Sequence, residues 1–291
     1  MGTAPHAARD RRPPAERVRD RLRAVAGAET AARMPAGYQR LGRVLLVRLP
    51  SDLQPYYPVL GTAWQEELGV ATVLVPTGPI EGEYRLPRVE RIAGTETETE
   101  VTEHGVRWRF DAAEVMFAAG NRTERQRAGR LVRPGETVVD LFAGIGYFAI
   151  PAARAGAQCV VAVEKNPTAV RYLVENLRRN GVAATVDVVA GDNRTVPLAR
   201  RTADRVFLGY LPSAVPWVPR ALELLRPSGG GLHVHLLAGT RDARAEATAT
   251  VDAAVRGAGG TLTAPSVARE VKPYGPGRAH MVVDVRARPG P

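Results

Sequence analysis

Asp140, Gly144, Gly146, Glu164, Asp192, Asn193 and Gly209 each stand at or just after the end of a short apolar run rich in Val. Such runs read as buried strands, and open α/β sheets bind ligands outside the carboxyl ends of their strands. The residue types at those ends suit one kind of ligand. Gly144 and Gly146, in Asp140-Leu-Phe-Ala-Gly-Ile-Gly146, let the backbone turn tightly and approach a ligand. Glu164 offers a carboxylate that can accept both hydroxyl hydrogens of a ribose. Asp192 and Asn193 suit the amino group and ring edge of an adenine. Gly209-Tyr210-Leu211-Pro212 follows the fourth run, where a reacting group would sit. The loop lacks the third glycine of a dinucleotide fingerprint, since Tyr147, Phe148 and Ala149 follow Gly146. A cofactor with one ribose and no phosphate fits better, which points to S-adenosyl-L-methionine. The bland alternative is that Glu164 only caps the helix starting at Asn166-Pro167 and the glycines only turn; the series of strand ends favours a ligand.

Positioning these residues requires a sheet. From about Phe110 onward, strand-like and helix-like segments alternate, which predicts an α/β fold: a doubly wound, mostly parallel, Rossmann-like methyltransferase sheet. Pro167 opens one of the helices and Gly181 follows its end. Residues 107–291 form the expected cofactor-binding domain. Residues 38–106 read as a small α/β domain without a recognisable catalytic set. Residues 1–37 read as an Arg-rich arm followed by a short amphipathic helix with Val18, Leu22 and Val25 at helical spacing.

The chain has 291 residues, 45% hydrophobic, and a formal charge of +10, which favours anionic partners, nucleic acid first. The same composition, poor in lysine (Lys165 and Lys272) and rich in Arg, Ala, Gly and Pro, also fits a GC-rich coding bias. No apolar run has the length of a membrane span and no secretory signal is seen, so a cytoplasmic protein is expected. The single Cys159 excludes an internal disulfide and a cysteine-rich metal site, and no metal is expected.

The segments FDAAEVMFAAGNRTERQRAGRLV, VVDLFAGIGYFAIP, VAVEKNPTAVRYLVENLRRN, GDNR, ADRVFLGYLPS and VKPYGPGRAHMVVDV resemble the tRNA wybutosine-synthesis aminocarboxypropyltransferases. Their sister family methylates N1 of the guanine beside the anticodon. The resemblance runs from about Glu16 to Arg286. It implies transfer of the 3-amino-3-carboxypropyl group of S-adenosylmethionine to a modified guanine in tRNA, releasing methylthioadenosine. Glu164 would hold the ribose, Asp192 with Asn193 the adenine, and Phe142, Gly144 and Gly146 would lie along the cofactor. Arg125 would help place the methionine part. The family usually has Ser seven positions before it, where this chain has Ala118, so only a backbone contact remains there.

The sister methyltransferases usually carry Asn-Leu-Pro where Gly209-Tyr210-Leu211-Pro212 stands. An Asn side chain can hydrogen-bond a planar amine or amide beside the methyl group; Gly209 cannot. Its loss is expected if the sulfonium presents a different carbon, in line behind the breaking bond. Catalysis would then be mostly positioning and electrostatics, with Arg125 near the transferred carboxylate and Tyr210 a candidate base by position. Three readings stay beside this one: transfer to, or cyclisation into, a small molecule of the azetidine-2-carboxylate type; methylation of tRNA guanine N1; and a non-catalytic RNA-binding protein. His233 and His235 share a strand face and read as pocket wall or hydrogen-bonded core. Cys159 reads as core, and Lys272 and Tyr274 as members of a Gly/Pro loop.

Overall fold

The computed structural model describes residues 11–239 and 241–290; the first ten residues of the expected arm lie outside them. Two compact units divide the chain: residues 1–101 with 111–116, and residues 102–110 with 117–291.

In the first unit, α1 (Pro14–Ala32) and α2 (Tyr57–Leu68) accompany a sheet of order β1-β2-β3-β4, built from Tyr38–Leu41, Val44–Val47, Thr72–Pro76 and Val89–Ala93. The spacing that predicts a helix at Val18 and Leu22 buries both completely against Leu60, Trp64 and Val73. Val25, on the same expected face, is 57% exposed. The helix backbone breaks at Gly27, two residues later, so the periodicity does not carry the buried face to the helix end. Arg17 pairs with Glu67 at 2.5 Å and ties α1 to α2.

The boundary between the units runs through a hairpin of β5 (Glu98–Glu103) and β6 (Val106–Asp111), turning at His104-Gly105. The second unit continues with α3 (Arg122–Leu131), β7 (Thr137–Asp140), α4 (Ala149–Arg154), β8 (Cys159–Glu164), α5 (Pro167–Arg179), β9 (Val186–Ala190) and β10 (Arg205–Leu208). It ends with α6 (Val218–Leu224), β11 (Gly230–Gly239), α7 (Ala243–Gly257), β12 (Thr261–Leu262), β13 (Val267–Pro273) and β14 (Arg278–Arg288).

The large sheet has the order β12-β14-β11-β10-β7-β8-β9, with β13 also paired to β14. Pairings from β9 across to β11 are parallel and those involving β14 are antiparallel, which agrees with the expected doubly wound, mostly parallel sheet. The chain runs from β7 to β8 and β9 on one side, then returns to place β10 on the other side of β7. That reversal opens a crevice between the carboxyl ends of β7 and β10. Alternation along the strands separates two faces. Val206, Leu208, Leu232, Val234 and Leu236 pack with residues of α6 and α7. Phe207, His233 and Asp284 face the other way, where Phe148 at the start of α4 stacks on Phe207 at 5.2 Å.

Lys272 differs from its expected place in a loop. It belongs to β13 and is the register partner of His280 on β14. The register shifts between Glu270 and Lys272, and such an irregularity hides strand alternation from a reading of the sequence. Cys159 is half-buried rather than core; its thiol lies 3.7 Å from Asp187, and burial followed by that carboxylate pushes its pKa up.

Candidate active site

The crevice residues are held largely by the backbone. Gly144 has φ +56°, and a Cβ there would stand 2.8 Å from the Tyr147 ring. Only glycine gives both that conformation and that clearance. Its N–H donates to Glu164 at 2.8 Å, and the Asn166 N–H donates to the other Glu164 oxygen at 2.8 Å. Asn166 itself caps α5 through its side chain. Glu164 therefore does more than start the next helix: its carboxylate is clamped between the β7 loop and the α5 entry. Burial raises its pKa, and the N–H groups of Asn166 and Gly144 oppose the rise. Each oxygen has a second lone pair, so the half-buried group can still accept hydroxyl hydrogens.

Asp140, at the end of β7, is fully buried. Burial pushes its carboxyl up to about 7; the Phe142 N–H, 3.2 Å from one oxygen, lowers it, and the nearby Glu164 charge raises it. Its second oxygen has no hydrogen-bonding partner among the described residues. The crevice thus holds two carboxylates under strong desolvation, one opening toward solvent and one sealed below it.

The Asn193 side chain is engaged within the protein. Its amide donates to the Leu141 carbonyl at 2.6 Å, and its oxygen accepts from the Trp217 indole N–H at 2.7 Å. The oxygen is committed to Trp217 and the side chain ties three loops together. Nothing local in the sequence marks this contact across 24 positions. Asp192 is half-exposed and grips Arg194 through both oxygens, with Lys165 at 3.6 Å. The Arg194 hydrogen bonds hold its carboxyl well below the usual range.

Phe142 and Tyr210 stack at 5.1 Å, and Trp217 meets Phe142 edge-on at 5.1 Å. Three aromatic rings therefore line the β7–β10 side of the crevice. At Gly209 a Cβ would stand 2.6 Å from the Phe148 ring. Phe148 is buried and packed against Phe207 and His235, so it cannot easily yield. Phe148 lies 61 positions from Gly209, and no local pattern signals their contact.

Arg125 is 4% exposed. Two of its nitrogens donate to one oxygen of Glu103, at 3.0 and 2.6 Å, and a third donates to the Ala118 carbonyl at 2.9 Å. The Ala118 backbone is thus engaged without any hydroxyl. The guanidinium lies 4.7 Å from the Phe117 ring and 5.5 Å from Tyr147. Glu103 comes from the hairpin and was not singled out from the sequence.

Beneath the site runs a row of hydrogen-bonded charged and polar side chains. Glu136 accepts two hydrogen bonds from Arg205, which donates to His233 Nε2 at 2.7 Å. Because that nitrogen accepts, His233 is neutral and donates from Nδ1 to Asp284 at 2.7 Å. Asp284 then faces Arg127, which pairs with Glu124. Burial lowers the His233 pKa despite Asp284. His235 shares a hydrogen bond with His280 at 2.8 Å, and burial pushes it down to about 3. Both histidines have the hydrogen-bonded core role expected of them. Among the described residues no cluster could hold a metal ion, and no helix is long and apolar enough to cross a membrane.

The TRM5/TYW2 methyltransferase domain matches residues 99–256, and the TYW2 N-terminal domain matches residues 18–97. The chain belongs to the TRM5/TYW2 methyltransferase family. Within this family it is similar to the tRNA(Phe) (4-demethylwyosine(37)-C(7)) aminocarboxypropyltransferase of Pyrococcus horikoshii, 34% identical over 93% of this chain and 96% of that protein. The crystal structure of P. horikoshii TYW2 in complex with MeSAdo matches with a TM-score of 0.81 at 30% identity, covering 95% of this chain and all of that one. The M. jannaschii TYW2 structure in complex with AdoMet matches with a TM-score of 0.69 at 30% identity, covering 87% and 100%. The TRM5/TYW2 relationship thus spans both compact units of the chain.

Proposed function

We propose that this protein transfers the 3-amino-3-carboxypropyl group of S-adenosylmethionine to C7 of 4-demethylwyosine at position 37 of tRNA(Phe). Similarity to aminocarboxypropyltransferases over nearly the whole chain supports the reaction class. The observation within this chain that carries the choice of carbon is at Gly209: the Phe148 ring occupies the space a side chain there would need. No Asn amide can stand beside the acceptor in the manner of a methyltransferase without displacing a buried ring.

The donor set fits the cofactor. The clamped Glu164 would accept the ribose hydroxyls, the Gly144–Gly146 loop would let the backbone approach, and Asp192 would face the adenine amino group, with Asn193 shaping that loop from behind. Phe142 and Tyr210, their rings stacked, would wall the acceptor side, with the Tyr210 phenol the candidate base by position. Arg125 would present the Ala118 segment to the amino-acid tail. These roles fall within residues 107–291, with 38–106 as the small companion domain and 1–37 as the helical arm. Bound S-adenosylmethionine supplies the electrophilic carbon and leaves as methylthioadenosine. The chain's part is to orient, to exclude water and to provide fixed dipoles.

The test uses S-adenosylmethionine labelled separately in its methyl and carboxypropyl carbons, with tRNA carrying the tricyclic base or without it. Methylthioadenosine with carboxypropyl label in the tRNA is the expected result. Methylthioadenosine formed equally without tRNA would move the acceptor to a small molecule. Adenosylhomocysteine with methylated tRNA would overturn the proposal.

A further inference from the structure

We propose that a hollow between the β5–β6 hairpin and the ends of α3 and α4 binds a backbone phosphate of the RNA substrate; the choice of RNA rests on the function proposed above. The hollow encloses about 240 Å³. Its buried lining includes Val106, Trp108 and Pro151, and its exposed lining includes His104, Arg130 and Arg154. Trp108 backs onto Tyr147 at 5.8 Å, and Tyr147 is the ring that a Cβ at Gly144 would meet at 2.8 Å. An apolar floor with a few polar groups at the edge is the usual build of a small binding site.

The charge at that edge is positive. Glu103 is the only carboxylate of the lining, and Arg125 consumes it at 2.6 Å. Arg130 and Arg154 have no ion-pair partner among the described residues. Arg154 donates from one nitrogen to the Gly105 carbonyl, and a Cβ at Gly105 would stand 3.5 Å from another. Its guanidinium is thus held over the hairpin turn, with further N–H groups left for a ligand. Arg122 donates to His104 Nε2 at 3.3 Å, which brings another guanidinium to the same turn. Such planar cations pair with phosphate through two parallel N–H groups. Arg130 and Arg154 also stand in the last turns of α3 and α4, where a cation suits the helix dipole. That role alone would not bring both to one hollow. The exposed rim admits a phosphate carried on a chain, and a net charge of +10 favours a polyanion.

Fluorescence anisotropy with a tRNA(Phe) transcript, repeated across salt concentrations, tests this. Arg130→Gln and Arg154→Gln are each expected to weaken RNA binding about tenfold at low salt. Each should also flatten the slope of log affinity against log salt by about 0.7–0.9, one phosphate's share. Methylthioadenosine should bind both variants as it binds the wild type. Arg256→Gln, on the exposed side of α7, removes the same charge elsewhere and should leave RNA binding within about twofold. Equal weakening in all three variants overturns the proposal in favour of a diffuse positive field. Unchanged RNA affinity in Arg130→Gln and Arg154→Gln also overturns it: lower stability would then assign the arginines to the helix ends, and weaker binding of inorganic phosphate or ATP would assign the hollow to a free anion. A wild-type protein that binds no tRNA would remove the RNA reading itself, whereas wild-type binding that both variants share sinks this proposal alone.

Discussion

Glu164 and Arg125 carry opposite charges, and both stand out in the sequence, yet the fold treats them differently. Glu164 is held by two backbone N–H groups and stays partly open. Arg125 is sealed in and answered by a full opposite charge from Glu103. A group held only by amide dipoles keeps unused lone pairs for a ligand. A group that meets a buried counter-ion is largely consumed by structure. On the proposed function, the first would serve the binding surface and the second would hold the segment that shapes it.

The contrast can be broken most forcefully at Glu103. Glu103→Ala leaves the Arg125 charge buried without its partner and should cost about 3–5 kcal/mol of stability in urea denaturation. A loss below about 1 kcal/mol would mean that Arg125 escapes to water. Glu164→Ala should behave in the opposite sense. Cofactor affinity should fall by about 1–3 kcal/mol in calorimetry, with a smaller change in stability; unchanged affinity would remove Glu164 from the site.

Asp140 sharpens the comparison because it is buried with neither kind of full compensation. Its folded pKa, about 7, lies above the ordinary carboxyl value. The folded state therefore binds an extra proton between roughly pH 4 and 7. The stability this contributes is complete at the acid end and is lost as pH rises through about 7. The slope should be at most about 1.4 kcal/mol per pH unit. Asp140→Asn should flatten that part of the profile; an unaltered profile would show Asp140 ionised throughout. The smallest effect belongs to the exposed pair of Arg21 and Glu66 in the first unit. Arg21→Ala should change stability by less than about 1 kcal/mol, and a larger loss in thermal unfolding would contradict the distinction between buried and exposed pairs.

Much of the large sheet could be read in advance because its strands end in residues of distinctive chemistry. Position alone drew attention to Glu164, and its clamp explains why a carboxylate stands there. What stayed hidden depends on pairs distant in sequence. Asn193 finds Trp217, Arg125 finds Glu103, and Gly209 finds Phe148. Each partner arrives on another element, and neither periodicity nor composition encodes that meeting. Val25 and Lys272 were misread for local reasons: a backbone break follows the one, and a shift in pairing precedes the other.

The row from Glu136 through Arg205, His233, Asp284 and Arg127 to Glu124 joins α3 to three adjacent strands. Carboxylates and guanidiniums meet in it directly or through the neutral His233, so removing a charged member leaves its partner with an odd charge. Inheritance should therefore treat the row as a single character: replacements that survive in descendants of this chain should arrive two together, on elements far apart in the gene.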